Sequence, residues 1–384
     1  MQKQFLANTY INRGITLISG KGVYLYDESG NKYLDLMSNY GVNILGHSHP
    51  VLTKSLEKQL EKLVVLHSGF GSDIRAKAAQ QLIRKVGKKL TRVYFSNSGA
   101  EAIEAAIKFA VLATGKKHFI ACKNSFHGKT LGALSATGEE KYRNKFKPLL
   151  WQFSHIPFND ISTLGKSITS DTAAFIVEPI QGEGGVYIPD ETYLQKVRQV
   201  CSQKKVLLIL DEIQTGCGRT GMFLASESSN ITYDVVCLGK GIAGGMPIGI
   251  TLISENIAEK ITRGANTSTF GGNPLSCSGI LTTLQLIDND LLDHVKKMGK
   301  YFIKKLHGLH SNLITDIRGK GLMIGMEVKG KRDEILKLLQ KEYILAIPAG
   351  ENVVRFLPPL IIEKKHIDEA VSKLTKVLKL LSYV

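Results

Sequence analysis

The sequence lacks the features of membrane, secreted and metal-binding proteins. It contains no run of about 18 apolar residues, so no transmembrane helix is predicted. The first residues, MQKQFLANTYINRG, have no apolar segment after the lysine, so no secretory signal is expected. The five cysteines are scattered without a C-x-x-C pair, which argues against a disulfide framework or a zinc site. We therefore expect a cytoplasmic protein with reduced thiols, no metal and no membrane contact.

Acidic residues are too few to balance the basic ones. The chain has 34 Asp and Glu against 50 Lys and Arg, a net charge of +16. A lysine-rich surface that only aids solubility is the simplest explanation. An anionic substrate, an acidic carrier protein or nucleic acid would also suit positive charge. Nucleic acid is the least favoured partner, because the lysines are dispersed and no basic tract is interleaved with aromatic residues.

Apolar runs of strand length alternate with helical stretches from about residue 75. The runs that we interpret as strands are Val93–Phe95, Phe119–Cys122, Ala173–Val177, Val206–Leu210, Val235–Leu238 and Ile248–Ile253. Continuous apolar strands separated by helices indicate an α/β fold with a mostly parallel sheet, covered by helices on both faces. Such sheets place their functional sites at the carboxyl ends of the strands.

The two ends of the chain differ from this middle part. Val23–Tyr26 and Lys32–Leu36 predict a hairpin, and an amphipathic helix is predicted near Val51–Leu66. The elements predicted towards the end are a long helical region from about Asn273 towards Leu309, strands at Gly321–Val328 and Val353–Phe356, and a helix from His366 onward. We therefore predict an N-terminal segment (1–45), a large domain (46–275) and a smaller α/β domain (276–384).

An acidic residue, Asp211, ends the buried run Val206–Leu210. An ionised carboxylate at the end of a buried strand needs a partner, because desolvation would otherwise neutralise it. An ion pair with Arg219, or an N-cap role in the following turn, would meet this need. The protonated heterocycle of a bound ligand would meet it as well. On this residue alone, the structural explanation is favoured.

Lys240 follows the strand Val235–Leu238 and is flanked by Gly239 and Gly241. Flanking glycines let the backbone turn and let a ligand approach closely. A partly buried lysine near other cations has a lowered pKa and suits Schiff-base chemistry, whereas the alternative is an ordinary surface lysine. The same segment matches G-x-G-x-x-G, but Pro247 and the glycines before it would end the helix that a dinucleotide site needs. A nicotinamide-dependent oxidoreductase is therefore a weak alternative.

Small polar turns and an aromatic residue also follow predicted strands. Ser96–Glu101 leads into a helix from about Ala100 to Leu112, whose N-terminus and the Ser98 hydroxyl could bind an anion. A simple N-cap serine is the alternative. The turn Ser268–Asn273 has a similar composition. Phe126 could stack on a flat ring or cap the core, and the adjacent histidine could be an ordinary loop residue.

These features occur together, and in order, in one family. The chain resembles the class III pyridoxal-phosphate aminotransferases, the ω- or ornithine-type group, from end to end. The segments that carry the resemblance are Asn39–Gly41, Gly46–Pro50, Asn97–Ala102, Phe126–Leu131, Glu178–Gly185, Leu210–Gly216, Leu238–Gly241, Ser268–Pro274 and Arg355–Leu360. The resemblance implies a fold-type I transferase with pyridoxal 5′-phosphate as its cofactor.

The resemblance implies that five of the matching residues bind the cofactor or its ring. Lys240 would bind the cofactor through a Schiff base and then act as the general base of the 1,3-proton shift. Asp211 would keep the pyridine nitrogen protonated, which makes the ring an electron sink. Gln214 would bind the ring hydroxyl. Phe126 and Ile213 would lie on the two faces of the ring.

Other family positions imply a phosphate site and a homodimer. Ser98, Gly99 and Ala100 would hold the phosphate, and His127 belongs to the same cofactor-binding set. Ala100 stands where many members have threonine, so one hydroxyl contact is absent. Thr269 would reach the phosphate from the neighbouring subunit, which makes the site of the family a shared one.

The substrate side of the site is implied in the same way. Arg355 would bind the α-carboxylate of glutamate or 2-oxoglutarate in a bidentate fork. Glu183 would pair with Arg355 when a substrate lacks that carboxylate. Tyr10 and Tyr40 are candidates for lining the substrate channel. Lys129 stands where ornithine and acetylornithine aminotransferases usually have an arginine that clamps the far carboxylate, and where putrescine aminotransferases have lysine.

The implied reaction moves a terminal (ω) amino group to 2-oxoglutarate and gives a semialdehyde and glutamate. The short chain and the stretch Ile347–Leu360 most resemble acetylornithine aminotransferases of arginine biosynthesis, so an N-acetylornithine-like donor is favoured. Lys129 favours a diamine instead, and the +16 charge would suit aminoadipate semialdehyde on an acidic carrier protein. A mutase or racemase that uses the same lysine, and a non-catalytic basic binding protein, remain alternatives.

Overall fold

The computed structural model describes residues 2–87, 89–150 and 152–382. In chain order the strands are β1 Leu17–Lys21, β2 Tyr24–Asp27, β3 Lys32–Asp35, β4 Leu90–Ser96, β5 His118–Cys122, β6 Gln152–Ile156, β7 Thr172–Val177, β8 Leu207–Asp211, β9 Val235–Leu238, β10 Gly249–Ser254, β11 Ile314–Lys320, β12 Met323–Val328, β13 Ile344–Leu345, β14 Ile347–Ala349 and β15 Val353–Phe356. The helices are α1 Gln2–Phe5, α2 Ser38–Gly41, α3 Pro50–Leu60, α4 Asp73–Val86, α5 Gly99–Thr114, α6 Leu131–Ala136, α7 Glu140–Arg143, α8 Ile161–Ser167, α9 Tyr193–Gln203, α10 Glu255–Ala258, α11 Pro274–Leu286, α12 Asn289–His307, α13 Arg332–Lys341 and α14 Lys364–Ser382.

A seven-stranded sheet forms the centre of the molecule, in the order β4-β10-β9-β8-β7-β5-β6. Strands β9, β8, β7, β5 and β6 are parallel, whereas β10 is antiparallel to both of its neighbours. Every residue of β5, β7 and β9 is buried, because helices cover both faces. The predicted mostly parallel α/β sheet is therefore confirmed. Strand β6 was not predicted, because QFSHI contains three polar residues and forms no apolar run.

Two four-stranded sheets flank the central one, in the orders β1-β2-β3-β13 and β11-β12-β15-β14. The predicted hairpin is confirmed, since β2 and β3 pair antiparallel with Tyr24 opposite Leu34. Strand β13 comes from the C-terminal region and pairs parallel with β3, with Ile344 opposite Leu34. The first residues of the chain thus share a sheet with the last part. The three predicted segment boundaries stay a prediction.

Three predicted helices have different ends in the structure. The helix expected near Val51–Leu66 ends at Leu60, and the last helix begins at Lys364, before His366. The long helical region is broken into α11 and α12. Asp288 causes the break, because its carboxylate accepts a hydrogen bond from the Leu291 amide (2.8 Å) and caps a new helix.

The parallel register brings the chemically active segments to one edge. Asp211 at the end of β8 pairs with Cys237 of β9, and the chain reaches Lys240 three residues later. Phe126 follows β5, and Glu178 directly follows β7, at the same carboxyl edge. Within the described ranges no helix is long and apolar enough to cross a membrane. The cysteines are all buried and unpaired.

The residue after Asp211 anchors the loop that shapes this edge. Glu212 is fully buried, and its carboxylate accepts hydrogen bonds from the Thr215 hydroxyl and from the amides of Ala225 (3.1 Å) and Ser226 (2.8 Å). The side chain thereby closes residues 212–226 into one unit. A buried acceptor with this many donors is costly to remove, because the donors lose their partner without gaining water.

We expect Glu212→Ala to lower the free energy of unfolding by about 2–4 kcal/mol, because buried amide donors are left unsatisfied. Urea denaturation at neutral pH measures it. Glu255→Ala is the matched control, since Glu255 pairs with Arg92 at a half-exposed site (2.9 Å) and should cost less than about 1 kcal/mol. Equal losses in the two variants would contradict the anchoring role of Glu212.

Candidate active site

The carboxylate of Asp211 is 4% exposed, and its charged partner is His127. The His127 Nδ1 and the Asp211 Oδ2 are 2.7 Å apart, and the Ile213 amide donates to Oδ1 (3.1 Å). The proposed ion pair with Arg219 is wrong. Arg219 instead donates to the carbonyl oxygens of Leu322 (3.1 Å) and Pro358 (2.5 Å), which lie far along the chain. Asp211 is therefore held by His127 and by the Ile213 amide, whereas Arg219 pairs elsewhere.

Asp211 has two charged or titratable neighbours, the imidazole of His127 and the carboxylate of Glu178. Burial acts to lower the pKa of His127, but its hydrogen bond to Asp211 and the charges of Asp211 and Glu178 raise the pKa overall. Its Nε2 is buried and has no partner among the described residues. Burial raises the pKa of Glu178 to about 7, although the charge of His127 and the amides of Phe126 and Gly182 oppose that rise. Sequence reasoning missed Glu178, although it follows β7 much as Asp211 ends β8.

Lys240 begins a short 3-10 turn and has a backbone φ of 46°, in the left-handed region that non-glycine residues rarely adopt. Strained backbone of this kind is typical of functional sites. Burial lowers the pKa of Lys240 to about 8, and the charge of Arg355 contributes in the same direction. Its amine has no hydrogen-bond partner among the described residues. The side chain is therefore a free amine, an appreciable fraction of which is neutral near neutral pH.

The N-terminus of α5 forms a turn against Ile213. Ser98 caps the helix, with its hydroxyl accepting from the Glu101 amide (3.2 Å). A Cβ at Gly99 would lie 2.8 Å from the Ile213 side chain, so only glycine lets these two segments come so close. The Gly99 and Ala100 amides belong to the first helical turn, whose N–H groups attract anions. The structure thus brings Ser98, Gly99, Ala100 and Ile213 together.

The buried Arg355 lies close to two of the other residues predicted on the substrate side, Glu183 and Tyr40. The Arg355 side chain is fully buried, and its Nη2 lies 2.7 Å from the Glu183 Oε2. Its Nη1 donates to the Gln214 Oε1 (3.0 Å), and its guanidinium lies 5.7 Å from the centre of the Tyr40 ring. Burial acts to raise the pKa of Glu183, but the charge and hydrogen bond of Arg355 lower it overall. Glu183 is therefore a carboxylate that neutralises Arg355.

An aromatic pair lies beside this ion pair. Phe126 contacts Tyr142 edge to face, with 5.5 Å between ring centres. Lys129 is exposed, and its Nζ lies 4.8 Å from the centre of the Tyr142 ring. The Tyr142 hydroxyl donates to the Glu183 Oε1 (3.0 Å). Sequence reasoning missed Tyr142, because nothing in the stretch EEKYRNK marks it as part of a site.

Two of the predicted residues lie outside this cluster. Tyr10 is 87% exposed, and no hydrogen bond or ring contact joins it to another residue of the described chain. Thr269 is also exposed, in a turn that is fixed by a bond from the Asn97 Nδ2 to the Ser268 Oγ (3.1 Å). The roles of Tyr10 and Thr269 stay predictions.

Comparisons with known proteins agree on one family. A family model described as aminotransferase class-III matches residues 6–378. The chain is 44% identical over 380 residues to an acetylornithine aminotransferase of Aquifex aeolicus, covering 97% of this chain and 100% of the relative. It is 44% identical over 364 residues to a putative [LysW]-aminoadipate semialdehyde/glutamate semialdehyde transaminase of Pyrococcus furiosus, covering 95% and 96%.

Solved structures show the same similarity. The chain superposes on the ornithine aminotransferase from Toxoplasma gondii with a TM-score of 0.94 and 32% identity, covering 100% of this chain and 94% of that chain. In that crystal structure, PLP partially occupies the active site of the Toxoplasma gondii protein. The similarity therefore extends through the whole described fold, including the strand ends that carry Asp211 and Lys240.

The lowered pKa of Lys240 predicts a pH-dependent cost in stability. Well below pH 8 the amine is mostly protonated in both states, and the folded state bears the cost of the buried charge. As pH rises from 8 towards 10.5, only the unfolded state keeps the proton, so the cost disappears. We expect Lys240→Met to stabilise the cofactor-free protein by about 3 kcal/mol at neutral pH, with a gain that shrinks above pH 8.

Urea denaturation of both proteins across this pH range measures the difference. Lys77→Met, on the exposed face of α4, is the control, because its effect should not vary in this way. A gain that is the same at every pH would show that Lys240 carries no such charge cost.

Proposed function

Because the chain belongs to the class-III aminotransferase family, we propose that it moves the terminal amino group of an N-acetylornithine-like donor to 2-oxoglutarate, with pyridoxal 5′-phosphate as cofactor. The products are a semialdehyde and glutamate. The observation that carries the proposal is the free amine of Lys240, whose pKa is lowered to about 8, at the strand edge that also holds Asp211. A lysine of this kind is a nucleophile suited to a carbonyl compound.

The residues present fit this cofactor in charge and in hydrogen-bonding capacity. The amides at the start of α5 suit its phosphate, and the amine of Lys240 suits its aldehyde. The buried carboxylate of Asp211 suits a protonated ring nitrogen, and the unpartnered His127 Nε2 shows that a donor or acceptor is available beside it. Bound in this way, the cofactor supplies an electron sink for the carbon that bears the amine.

The chain's own residues would hold the cofactor in place and transfer the protons of the reaction. Lys240 is the base, since its amine is partly neutral at working pH and can take a proton and return it at the neighbouring atom. Asp211, held by His127, would face the ring nitrogen and stabilise its protonated form. Phe126 and Ile213 would lie on the faces of the ring, and Gln214 would bind the ring hydroxyl.

Arg355 and Glu183 would sort the two substrates. In the structure they form a pair (2.7 Å), which neutralises the guanidinium that an α-carboxylate would need, so a donor would enter with its terminal amine. For 2-oxoglutarate, Glu183 would move aside and the planar guanidinium would bind the carboxylate in a fork. The fully buried position of Arg355 supports this role, because a buried guanidinium needs an anion at every stage.

The donor is decided at Lys129. Its ammonium is exposed at the edge of the cluster and could attract the far carboxylate of N-acetylornithine as a point charge. The relatives named as acetylornithine aminotransferases support this donor. A carrier-bound semialdehyde is the second candidate, since the Pyrococcus furiosus relative is named for one and the net charge of +16 would steer an acidic carrier.

We also propose that the chain works as a cytoplasmic homodimer. Large apolar side chains that are exposed in the single chain support the proposal, because a partner subunit would cover them. They include Phe5, Leu6, Ile11, Phe70 and Phe270. The predicted role of Thr269 at the phosphate site of the neighbouring subunit also requires a dimer.

The proposed reaction predicts two visible half-reactions. We expect the purified protein, given pyridoxal phosphate, to show an absorbance band near the visible edge. N-acetylornithine should bleach the band and 2-oxoglutarate should restore it. Lys240→Ala should lose turnover by at least about a thousandfold, because both the covalent attachment and the base are removed. Full turnover in this variant would overturn the mechanism, and bleaching by putrescine alone would change the donor.

The charge at Lys129 predicts a selective change in donor use. We expect Lys129→Gln to raise KM for N-acetylornithine about tenfold and to leave putrescine nearly unchanged, because only the first has a carboxylate. Steady-state kinetics with each donor measures this. Lys141→Gln is the matched control, since its ammonium also lies over the Tyr142 ring (5.0 Å). Equal effects of the two variants on the KM for N-acetylornithine would show that the change comes from the lost contact with the Tyr142 ring and not from a lost contact with the substrate.

A further inference from the structure

Tyr142 contacts three of the residues that the proposed function uses. It lies on α7, its hydroxyl donates to the Glu183 Oε1 (3.0 Å), its ring meets Phe126 at 5.5 Å between centres, and Lys129 lies over it at 4.8 Å. The edge contact and the cation fix the orientation of the ring. The hydroxyl is therefore aimed at Glu183 by groups on other segments.

Glu183 is held at both oxygens. Its Oε2 faces the Arg355 Nη2 (2.7 Å), and its Oε1 accepts from Tyr142. Burial, followed by the charge of Glu183, raises the pKa of Tyr142, so the phenol stays a donor at working pH. A carboxylate held at two points is harder to move than one held by the arginine alone, because both charge-assisted bonds must break together.

We propose that Tyr142 is a positioning residue that holds Glu183 on Arg355 and so sets how readily the site admits a dicarboxylate in place of an amine donor. This inference rests on the proposed role of Arg355 in binding a substrate carboxylate. Among the described residues, no hydrogen bond or ring contact joins Tyr142 to Arg355. Tyr142 acts through Glu183, so its loss should favour the dicarboxylate without favouring the amine donor.

The test is Tyr142→Phe in the holoenzyme, which removes only the hydroxyl. Glutarate, a five-carbon dicarboxylate without a reactive group, probes the released Arg355 in a calorimetric titration. We expect glutarate to bind about three- to tenfold more tightly, and KM for 2-oxoglutarate to fall by a similar factor. The kcat/KM for the amine donor should stay the same or fall. A merely structural role would weaken both substrates together.

Tyr24→Phe is the matched control. Its hydroxyl also donates to a glutamate, Glu369 (3.1 Å), and a lysine, Lys32, also lies over its ring (3.6 Å), but the group lies on β2 outside this site. We expect no change in glutarate affinity there. In a Glu183→Gln background, Tyr142→Phe should change glutarate affinity less than about twofold, because the held charge is already gone.

The outcomes separate the inference from the proposed function. If the parent binds glutarate and Arg355→Lys weakens it, but Tyr142→Phe has no effect or weakens it as well, the role of Tyr142 is wrong and the function stands. If the parent does not bind glutarate at all, the role of Arg355 fails and the inference fails with it. The inference is supported if glutarate binds more tightly to Tyr142→Phe than to the parent and Tyr24→Phe shows no such change.

Discussion

Charged side chains are buried together at the carboxyl edge of the central sheet, and the need to pair them shapes everything around it. Asp211 is held by His127, and Arg355 by Glu183. The Lys240 amine has no hydrogen-bond partner among the described residues, and burial lowers its pKa to about 8. Buried charges are tolerated only when partners or shifted protonation compensate for lost water. Burial shifts the protonation of both Glu178 and Lys240 in this way, and Lys240 is the residue that is proposed to react.

The fold makes this pairing possible by bringing distant segments to one line. The parallel register of β8 and β9 brings Asp211 and the Lys240 turn side by side, and the loop after β5 brings His127. Close packing supports this arrangement, since Gly99 leaves room for Ile213 where any larger residue would clash. The rigid part of the site is thus built on strand ends, as precise positioning of reactive groups requires.

In the proposed function, the pair of Glu183 and Arg355 is the part that moves. Arg355 is buried and paired with Glu183 in the structure, so a substrate carboxylate would have to compete with this glutamate for the guanidinium. Contacts that hold the glutamate thereby become contacts that select substrates. Tyr142 is placed to do this, because it meets Glu183 at the oxygen that Arg355 leaves free.

The sequence by itself determined the chemistry of the chain and the order of its elements. It predicted most of the central strands, and it indicated which residues after those strands could serve as a base, as a carboxylate or as a phosphate-binding turn. The sequence was insufficient where a single side chain outweighs the average helix propensity of its neighbours. Asp288 is the example, because it caps a new helix within a region that hydrophobic periodicity predicted as continuous. Only the tertiary structure decided which residues meet. The sequence suggested Arg219 as the partner of Asp211. In the fold, Arg219 donates to backbone carbonyl oxygens, and the partner of Asp211 is His127, 84 residues away along the chain. The physical reason is that propensity acts over a few residues, whereas pairing of buried charges depends on distances that exist only after the sheet has formed.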